Sequence, residues 1–318
     1  MRWRWHWFWH QVGNARRDGL RRFVRQKATR TALWTRDRIA SASYVELAPH
    51  EVARQRRSET VFIFGSGYSL NELQPAEWTH FARHDTFGFS GFIYQRWMRV
   101  DFHLIRSWFM EFQDSTWLKR VAEQYAENLR SNPHFSKAIL FLQREFSAEF
   151  SNMLTGARLL SGGTRLCRYH AAHRLDDMPT SRWKDGILRD PGTLAMAVNM
   201  AYLLGWKRIV LVGVDLYDNR YFWGPSDGTV QFDDNGDYRR VTEENDRGIA
   251  WDAPHNTVRN RIVEILGTWS HAFSSHGVKL MVYNPRSLLA TALPLYLERE
   301  CHRAQGVHLL PTVRRRQQ

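Results

Sequence analysis

Four side chains that can bind a ligand follow one short apolar run in the second half of the chain. The run reads RIVLVG at residues 208–213, and after it stand Asp215, Tyr217, Asn219 and Tyr221. The run is rich in β-branched residues and does not alternate with polar ones, which is typical of a parallel strand covered on both faces. Ligands of open α/β sheets bind beyond the carboxyl ends of such strands, so these four residues are candidates for a ligand site.

A glycine-marked turn near residue 65 is the second candidate. Residues 60–73 read TVFIFGSGYSLNEL, in which an apolar strand at 61–64 runs into Gly65-Ser66-Gly67 and Ser69 can cap the helix that follows. Glycines let backbone N–H groups approach a phosphate, and a helix N-terminus adds positive potential. The third glycine of the dinucleotide fingerprint and the Gly-Lys-Ser/Thr of a P-loop are both missing. Phosphate binding and a turn needed only for geometry therefore both remain open.

Alternating strands and helices position these two candidates. Residues 193–204 are apolar on nearly all sides, which predicts a helix packed on a sheet, and Gly205 ends it. Further strands are predicted at 84–89, 100–105, 137–142 and 278–283, and further helices at 75–83, 92–98, 109–129 and 256–274. The pattern predicts one α/β domain at residues 58–298, with a mainly parallel central sheet and helices on both faces.

Composition agrees with a single globular domain. The chain has 318 residues, and its 43% hydrophobic content is enough for a core. It contains no run of about 18 apolar residues, so no membrane-spanning helix is expected. Cys167 and Cys301 lie far apart without metal-ligand spacing, so we interpret both as free thiols, which fits a cytoplasmic location.

The first 57 residues carry most of the net charge of +13, because they hold 14 Lys and Arg against 4 Asp and Glu. Residues 1–10 read MRWRWHWFWH, without the apolar core or cleavage site of a signal peptide. Trp favours the headgroup region and Arg is drawn to anionic lipid. Together with a basic helix at 16–38, this arm predicts a peripheral anchor on the inner membrane; a disordered tail is the alternative.

Further expectations concern the remaining segments. We expect a linker at 39–57 and a loose basic tail at 299–318, and no recognised motif supports nucleic acid as a partner. Residues 218–254, polar for most of their length, predict a lid over the site. Within them QFDDNGD resembles a calcium loop, but counting from Asp233 puts Tyr238 where the glycine is required. An acidic turn is usually just solvated, so no metal site is predicted.

Five short motifs then occur in the order found in the bacterial sialyltransferases of glycosyltransferase family 42, which the chain resembles. It is similar, less closely, to the hydroxymethylpterin diphosphokinase-like family. The motifs are GSGYSL at 65–70, LGWKRI at 204–209, GVDLY at 213–217, HNT at 255–257 and YNPRSLL at 283–289.

The resemblance implies a Rossmann-like domain of the GT-A-variant type with a lid, which binds a CMP-activated sugar without metal and builds a surface glycan. It implies that the nucleotide is held by Gly65, Ser66, Gly67, Ser69, Ser90, Gly192, Thr193, Gly213 and Asp215. It further implies that Tyr217 and Tyr221 donate hydrogen bonds to the leaving phosphate, and that His255 deprotonates the acceptor hydroxyl.

The chemistry of these side chains fits those roles. A departing nucleoside monophosphate gains negative charge, which neutral phenol donors can stabilise without a metal ion. An acceptor hydroxyl needs a base that is free near neutral pH, and His is the usual choice. As the alternative, Tyr217 and Tyr221 are packing aromatics and His255 is a surface residue at a helix start.

The chain departs from the family pattern at two strand ends, before the helix at 193–204 and at the histidine. Ser90 replaces an asparagine after the second strand, and the asparagine expected after the third strand falls near Leu104 or Ile105. Pro191-Gly192 replaces Ser/Thr-Gly, with Thr193 following. His255 directly precedes Asn256, whereas the family spaces these residues farther apart.

Three functions remain open from the sequence. The first is a sialyltransferase-like glycosyltransferase that acts on a glycan or glycolipid acceptor at the membrane. The second is a diphosphokinase-like enzyme on a pterin or related alcohol, which would need Mg²⁺ and ATP. The third is a membrane- or nucleic-acid-associated binding protein with a degenerate nucleotide site.

Overall fold

A computed structural model describes residues 20–106, 115–174, 176–189, 192–217, 219–224, 230–232, 238–240, 258 and 260–297. Twelve strands are formed within these ranges: β1 Val45–Glu46, β2 Thr60–Phe64, β3 Asp85–Phe89, β4 Phe102–Ile105, β5 Ile139–Gln143, β6 Arg165–Tyr169, β7 Ala171–Ala172, β8 Ile187–Leu188, β9 Arg208–Val212, β10 Val230–Phe232, β11 Tyr238–Arg240 and β12 Lys279–Val282. The α-helices described are α1 Leu20–Ala40, α2 Pro49–Arg54, α3 Pro75–Ala82, α4 Ser115–Ser131, α5 Glu149–Gly156, α6 Thr193–Leu204 and α7 Ile262–Ser274.

Eight of these strands form one sheet in the order β1-β6-β5-β4-β3-β2-β9-β12. Every neighbouring pair in this order is parallel. From β2 the chain adds β3, β4, β5 and β6 on one side, and it then returns to place β9 on the other side of β2. The reversal makes the carboxyl ends of the neighbouring strands β2 and β9 a topological switch point, where open α/β sheets form their ligand crevice.

Two apolar layers cover the faces of this sheet. Val61 and Ile63 of β2 pack into one layer with α2, α6 and α7. Phe62 and Phe64, which point to the opposite face, pack into the other layer with α3, α4 and α5. All five residues of β2 are buried, as a strand between two helix layers requires. The α/β fold with a parallel sheet and helices on both faces is therefore confirmed.

The segment around β9 follows the sequence prediction most closely. Helix α6 covers Thr193–Leu204, and Gly205 ends it with a left-handed backbone at φ 88°. That conformation costs least for glycine. Strand β9 then runs from Arg208 to Val212, so the helix–turn–strand unit is as predicted.

Two predicted assignments change in the first part of the chain. Residues 92–98 were expected to form a helix, whereas the structure has a 3-10 helix at Ser90–Tyr94. The interval 39–57, expected as a linker, instead contributes β1 to the sheet edge and α2 to the core, where Val52 is buried. The two-residue length of β1 hides it from a pattern search, because two residues show no periodicity.

Helix α1 belongs to the folded body, because it packs on α5 and a buried ion pair joins it to β6. Arg168 Nη2 donates to Asp37 Oδ1 over 2.6 Å, and both side chains are buried. Thr155 also donates to Asp37, and the Tyr44 hydroxyl donates to the Thr155 carbonyl over 3.2 Å. Leu33 is buried beside this network. The predicted basic helix therefore has a structural inner face, while Arg25, Arg36 and Arg38 stay exposed.

None of the helices described is long and apolar enough to cross a membrane. The lid interval 218–254 is described only in part. Its strands β10 and β11 pair as an antiparallel ribbon, and residues 233–237 between them lie outside the described residues.

We predict that Asp37→Ala lowers the free energy of unfolding by about 3–5 kcal/mol, because Arg168 keeps a buried charge without its carboxylate. Denaturant unfolding followed by circular dichroism measures this change. Arg25→Ala removes an exposed charge from the same helix and should change the free energy by less than about 0.5 kcal/mol. Equal stabilities of the two variants would contradict the assignment of α1 to the folded body.

Candidate functional site

The ends of β2 and β9 are joined directly at the switch point. The backbone N–H of Gly65 donates to the Val212 carbonyl and that of Gly67 donates to the Gly213 carbonyl, each over 2.8 Å. A Cβ added to Gly65 would lie 2.5 Å from the Gly213 oxygen. The backbones of the two strand ends therefore approach each other too closely for a side chain at residue 65. Gly213 has a φ of 62°, in the left-handed region. The glycines of both motifs thus serve this close approach.

The carboxylate of Asp215 ties the two strand ends together. It is 4% exposed. Its Oδ2 accepts the Ser69 backbone N–H over 2.9 Å, and its Oδ1 accepts the Ser69 hydroxyl over 2.5 Å. Buried charges are stable only when hydrogen bonds of this kind surround them. Asp215 therefore locks the glycine turn after β2 onto the end of β9.

The YNPRSLL motif braces the same carboxylate from the end of β12. Asn284 Nδ2 donates to Asp215 Oδ1 over 3.2 Å, and the Leu288 N–H donates to the Asp215 carbonyl over 3.2 Å. The Ser287 hydroxyl donates to the Val214 carbonyl over 2.5 Å. Three of the sequence motifs, at 65–70, 213–217 and 283–289, therefore form one hydrogen-bonded unit.

This unit changes the interpretation of the glycine turn. The amides of Gly65, Gly67 and Ser69 all donate to groups of the protein. Ser69 was expected to cap a helix, but it bonds Asp215; the element that follows is a 3-10 helix at Tyr68–Glu72 without a side-chain cap. The turn shapes the site, and the strongest anion-binding groups lie on other elements.

A polar lobe opens above the switch point, with a cavity volume of about 300 Å³. Its lining comes from the carboxyl ends of four adjacent strands, β4, β3, β2 and β9, and from the start of α6. The lining residues are Gly65, Ser66, Gly67, Phe89, Ser90, Arg106, Gly192, Thr193, Leu194, Gly213, Val214, Asp215, Leu216, Arg220, Tyr221 and Asn260. A cavity of this size, with a few polar groups converging on it, is typical of small-molecule sites.

Two guanidinium groups and a helix N-terminus give this lobe its positive potential. Arg106 directly follows β4, and its Nη1 lies 3.4 Å from Thr193 Oγ1 in the first turn of α6. Arg220 lies over the ring of Tyr68, with its Cζ 4.4 Å from the ring centroid. Gly192 precedes α6 with a φ of 148°, and the first turn of α6 contains no acidic residue. Backbone N–H groups at such a terminus attract anions.

Ser90 marks the third strand end with an unusual backbone. Its φ is 51°, a left-handed conformation that few residues other than glycine adopt. Such strained positions cluster at functional sites. Ser90 directly follows β3 and lines the cavity, and Ser66, two residues after β2, lines it too.

The segment at 221–223 forms the outer wall and is pinned to the glycine turn. Tyr221 forms an isolated antiparallel bridge with Gly67, and the Phe222 N–H donates to the Ser66 carbonyl over 3.2 Å. The Tyr221 ring stacks on Trp223 at 4.7 Å between centroids. This segment was assigned to the lid, but it is part of the wall of the cleft.

An aromatic lobe of about 250 Å³ adjoins the polar lobe. It is lined by Ser66, Ser90, Gly91, Tyr94, Ile105, Arg106, Val121, Gln124, Tyr125, Phe150, Tyr221 and Trp223. Four residues line both lobes: Ser66, Ser90, Arg106 and Tyr221. The cleft therefore has a cationic half and an aromatic half, and a shared wall of hydroxyls and one guanidinium between them.

Burial raises the pKa of Tyr221 and the pKa of Tyr94. Desolvation disfavours the phenolate, so each hydroxyl keeps its proton at neutral and moderately alkaline pH. Tyr221 can therefore act as a neutral hydrogen-bond donor at the shared wall.

Most of the residues proposed from the sequence meet in this cleft. Nine of them line the polar lobe: Gly65, Ser66, Gly67, Ser90, Gly192, Thr193, Gly213, Asp215 and Tyr221. Ser69 lies behind the lobe on Asp215. Tyr217 is half-buried outside both linings, and the Arg286 guanidinium lies 5.9 Å from its ring centroid. His255 lies outside the described residues, and its role stays a prediction.

Sequence reasoning missed Arg106, Arg220 and the aromatic lobe. Arg106 immediately follows the predicted third strand, so the strand-end rule applied to Asp215 would have found it. The family pattern instead put a site residue near Leu104 or Ile105, and both of these residues are buried within β4. Tyr125 lies within the helix predicted at 109–129, and no sequence motif marked it as a site residue.

The part of the chain that the structure describes contains no group of three or more His, Cys, Asp or Glu side chains that could hold a metal ion. Residues 233–237 of the acidic turn lie outside that part.

Comparison with known proteins gives structural neighbours only. No family model matches the chain. No curated protein matches it. Among solved structures it is similar to the monofunctional alpha-2,3-sialyltransferase Cst-I from Campylobacter jejuni, at 14% identity and a TM-score of 0.41 over 75% of this chain and 80% of that one. It is also similar to the MAf glycosyltransferase from Magnetospirillum magneticum AMB-1, at 15% identity and a TM-score of 0.43 over 79% of this chain. The match spans 34% of that second protein.

We predict that Gly67→Ala destabilises the protein by roughly 1–3 kcal/mol, because its Cβ would lie 2.8 Å from the Gly213 carbonyl and closer still to the Asp215 carboxylate. Thermal and denaturant unfolding measure the loss. Gly162→Ala is the matched control, since a Cβ there meets no atom within 4 Å. If the two variants unfold alike, the strand ends are not locked as described.

Proposed function

We propose that the protein is a glycosyltransferase that moves a sugar from a CMP-activated donor to a glycan or glycolipid acceptor. The single observation behind this proposal is the two-lobed cleft, with a cationic lobe, an aromatic lobe and a shared wall between them. A nucleotide sugar has a similar division, because an anionic phosphate joins a nucleoside to a sugar ring.

The cationic lobe suits the phosphate. Arg106 and Arg220 supply two guanidinium groups, and the N-terminus of α6 supplies backbone donors beside Arg106. Arginine binds phosphate oxygens through a planar fork of N–H donors, and hydrogen bonds to a charged group contribute about 1.5–3 kcal/mol each. The phosphate therefore has a charge-matched position at the start of α6, above the switch point.

The aromatic lobe suits the sugar. Trp223 and Tyr94 lie with ring centroids 5.0 Å apart, and Tyr125 lines the same lobe. Aromatic rings offer an apolar face to the C–H groups of a pyranose, while phenol hydroxyls bind its oxygens. A ligand that fills both lobes places its sugar–phosphate bond at the shared wall.

Tyr221 then stands where negative charge develops. In the transfer step the acceptor oxygen forms a bond to the anomeric carbon, and the bond from that carbon to the phosphate oxygen breaks with its electron pair on the phosphate. A neutral phenol that donates to this oxygen stabilises the transition state more than the ground state. We assign the acceptor's proton to His255, whose imidazole is a suitable base near neutral pH.

The choice of CMP and of a metal-independent reaction rests on the motifs that resemble glycosyltransferase family 42. In this chain the GSGYSL, GVDLY and YNPRSLL motifs contribute to one unit beneath the cleft. Arg106, Arg220 and Tyr221 would supply the charge stabilisation that a metal ion gives other transferases.

A membrane-bound acceptor also fits the basic helix. Arg25, Arg36 and Arg38 of α1 are exposed, and so is Ile39, at 68%. Deleting residues 1–38 would remove the buried Asp37 as well, so it cannot isolate membrane binding. Replacing the three arginines by glutamine removes exposed charge and keeps the buried Asp37. Sedimentation with vesicles that contain anionic lipid then measures how much membrane binding depends on these charges.

A donor-hydrolysis screen tests the proposed function. CMP-, UDP- and GDP-sugars are incubated with the protein in EDTA, and the released nucleotide is measured. We expect release from a CMP-sugar without added metal. Turnover of ATP that requires Mg²⁺ would instead favour the diphosphokinase-like alternative, and no turnover with any donor would favour a binding protein.

We predict that Tyr221→Phe lowers kcat by about 100-fold or more with the active donor, since it removes one donor to the leaving phosphate. Tyr217→Phe is the control, because Tyr217 lies outside both lobe linings, and its kcat should stay close to the wild-type value. A reversed order of the two effects would assign the leaving-group role to Tyr217.

A further inference from the structure

A buried histidine lies directly behind the aromatic lobe. His103 stands in the middle of β4 with no exposed surface, and its Nε2 lies 2.7 Å from the Tyr125 hydroxyl. Among the described residues, His103 is the only hydrogen-bond partner of the Tyr125 hydroxyl. Burial lowers the pKa of His103 to about 3, so the ring is neutral near pH 7.

The surroundings of the other ring nitrogen determine where the single proton of this neutral ring resides. Nδ1 is buried without a hydrogen-bond partner in the part of the chain that the structure describes. It faces the backbone of β3, since a Cβ on Gly88 would lie 2.9 Å from it. An orphaned N–H donor is rarer and costlier in protein interiors than an orphaned acceptor. The proton therefore belongs on Nε2, and Nδ1 keeps a bare lone pair.

This tautomer fixes the direction of the Tyr125 hydroxyl. Nε2–H donates to the phenol oxygen, so the phenol hydrogen must point to a different acceptor. Packing restricts both rings, because Phe135 meets His103 edge-on at 5.1 Å between centroids and Phe150 meets Tyr125 edge-on at 5.5 Å. Besides this contact with His103, Tyr125 lines the aromatic lobe.

We propose that Tyr125 is a ligand-binding hydrogen-bond donor, held in that role by His103, which selects sugars with an acceptor oxygen at the inner end of the aromatic lobe. His103 is a positioning residue, because it acts through Tyr125. The proposal rests on the proposed function, since it assigns the sugar of the donor to this lobe. A hydroxyl or carbonyl oxygen satisfies the donor, whereas an apolar group there would leave it unpaired.

Isothermal titration separates the two halves of the ligand. CMP alone and the CMP-sugar active in the hydrolysis screen are titrated into the wild type, Tyr125→Phe and Tyr202→Phe. We expect Tyr125→Phe to weaken CMP-sugar binding by roughly tenfold and to leave CMP binding unchanged, because only the sugar reaches Tyr125. A general packing defect would weaken the binding of both CMP and the CMP-sugar.

Tyr202→Phe is a matched control. Its hydroxyl also pairs with a histidine, Nδ1 of His276, over 2.8 Å, but on the surface and outside both lobe linings. It should bind both ligands as the wild type does. If no CMP-sugar binds to the wild type, the proposed function and this inference both fall. If the wild type binds and Tyr125→Phe binds equally well, the inference alone is wrong.

The tautomer can be measured without ligand in the wild-type protein. Long-range ¹H–¹⁵N correlation spectra of protein labelled with ¹⁵N-histidine distinguish Nε2–H from Nδ1–H, and His103→Gln identifies the signal. We expect a neutral ring protonated on Nε2. A ring protonated on Nδ1 would make Tyr125 the donor to His103, which removes its donor role toward a ligand and overturns the proposal.

Discussion

The hydrogen bonds of the Asp215 carboxylate hold the site together. They join the glycine turn after β2, the end of β9 and the turn after β12, three strand ends that are adjacent in the sheet but distant in sequence. A buried carboxylate is costly unless several donors surround it, so the three segments and Asp215 depend on one another. Breaking the unit would separate the strand ends and open the floor of the cleft.

The shape of the cleft follows from this junction. The space above the joined ends of β2 and β9 is open to the ends of β3 and β4, which contribute Ser90 and Arg106. The start of α6 closes one side and the segment at 221–223 closes the other. Arg106 therefore lies on the α6 side, while the rings of Tyr94, Tyr125 and Trp223 line the lobe beyond the shared wall.

The sequence allowed the fold to be predicted because its local signals agree with one another. Helix α6, the glycine stop and β9 show apolar periodicity, turn chemistry and β-branched composition in succession, and the parallel sheet follows from that alternation. The sequence did not reveal β1, since a two-residue edge strand has no periodicity. It also did not reveal that α1 has a buried inner face, because Asp37 is stabilised there by Arg168, which is 131 residues away in the chain.

For the candidate site, the sequence allowed positions to be predicted but not chemical roles. Positions at strand ends, such as Ser66, Ser90 and Asp215, could be placed from the strands alone. Their chemical roles could not, because these depend on partners: Ser69 and Asp215 bond each other, so both contribute to the structure beneath the cleft. Arg220 and Tyr125 became visible as lining residues only when the fold brought distant segments together.

The central claim is that the cationic lobe above the switch point binds the phosphate of a nucleotide. Calorimetric titration of CMP into the wild type, Arg106→Gln and Arg286→Gln tests it most directly. Arg286 is an exposed arginine that pairs with Glu72 outside the lobe, so its replacement controls for the loss of one charge. We predict that Arg106→Gln weakens CMP binding by roughly 10- to 100-fold and that Arg286→Gln has little effect. Equal affinity of the wild type and Arg106→Gln for CMP would contradict it.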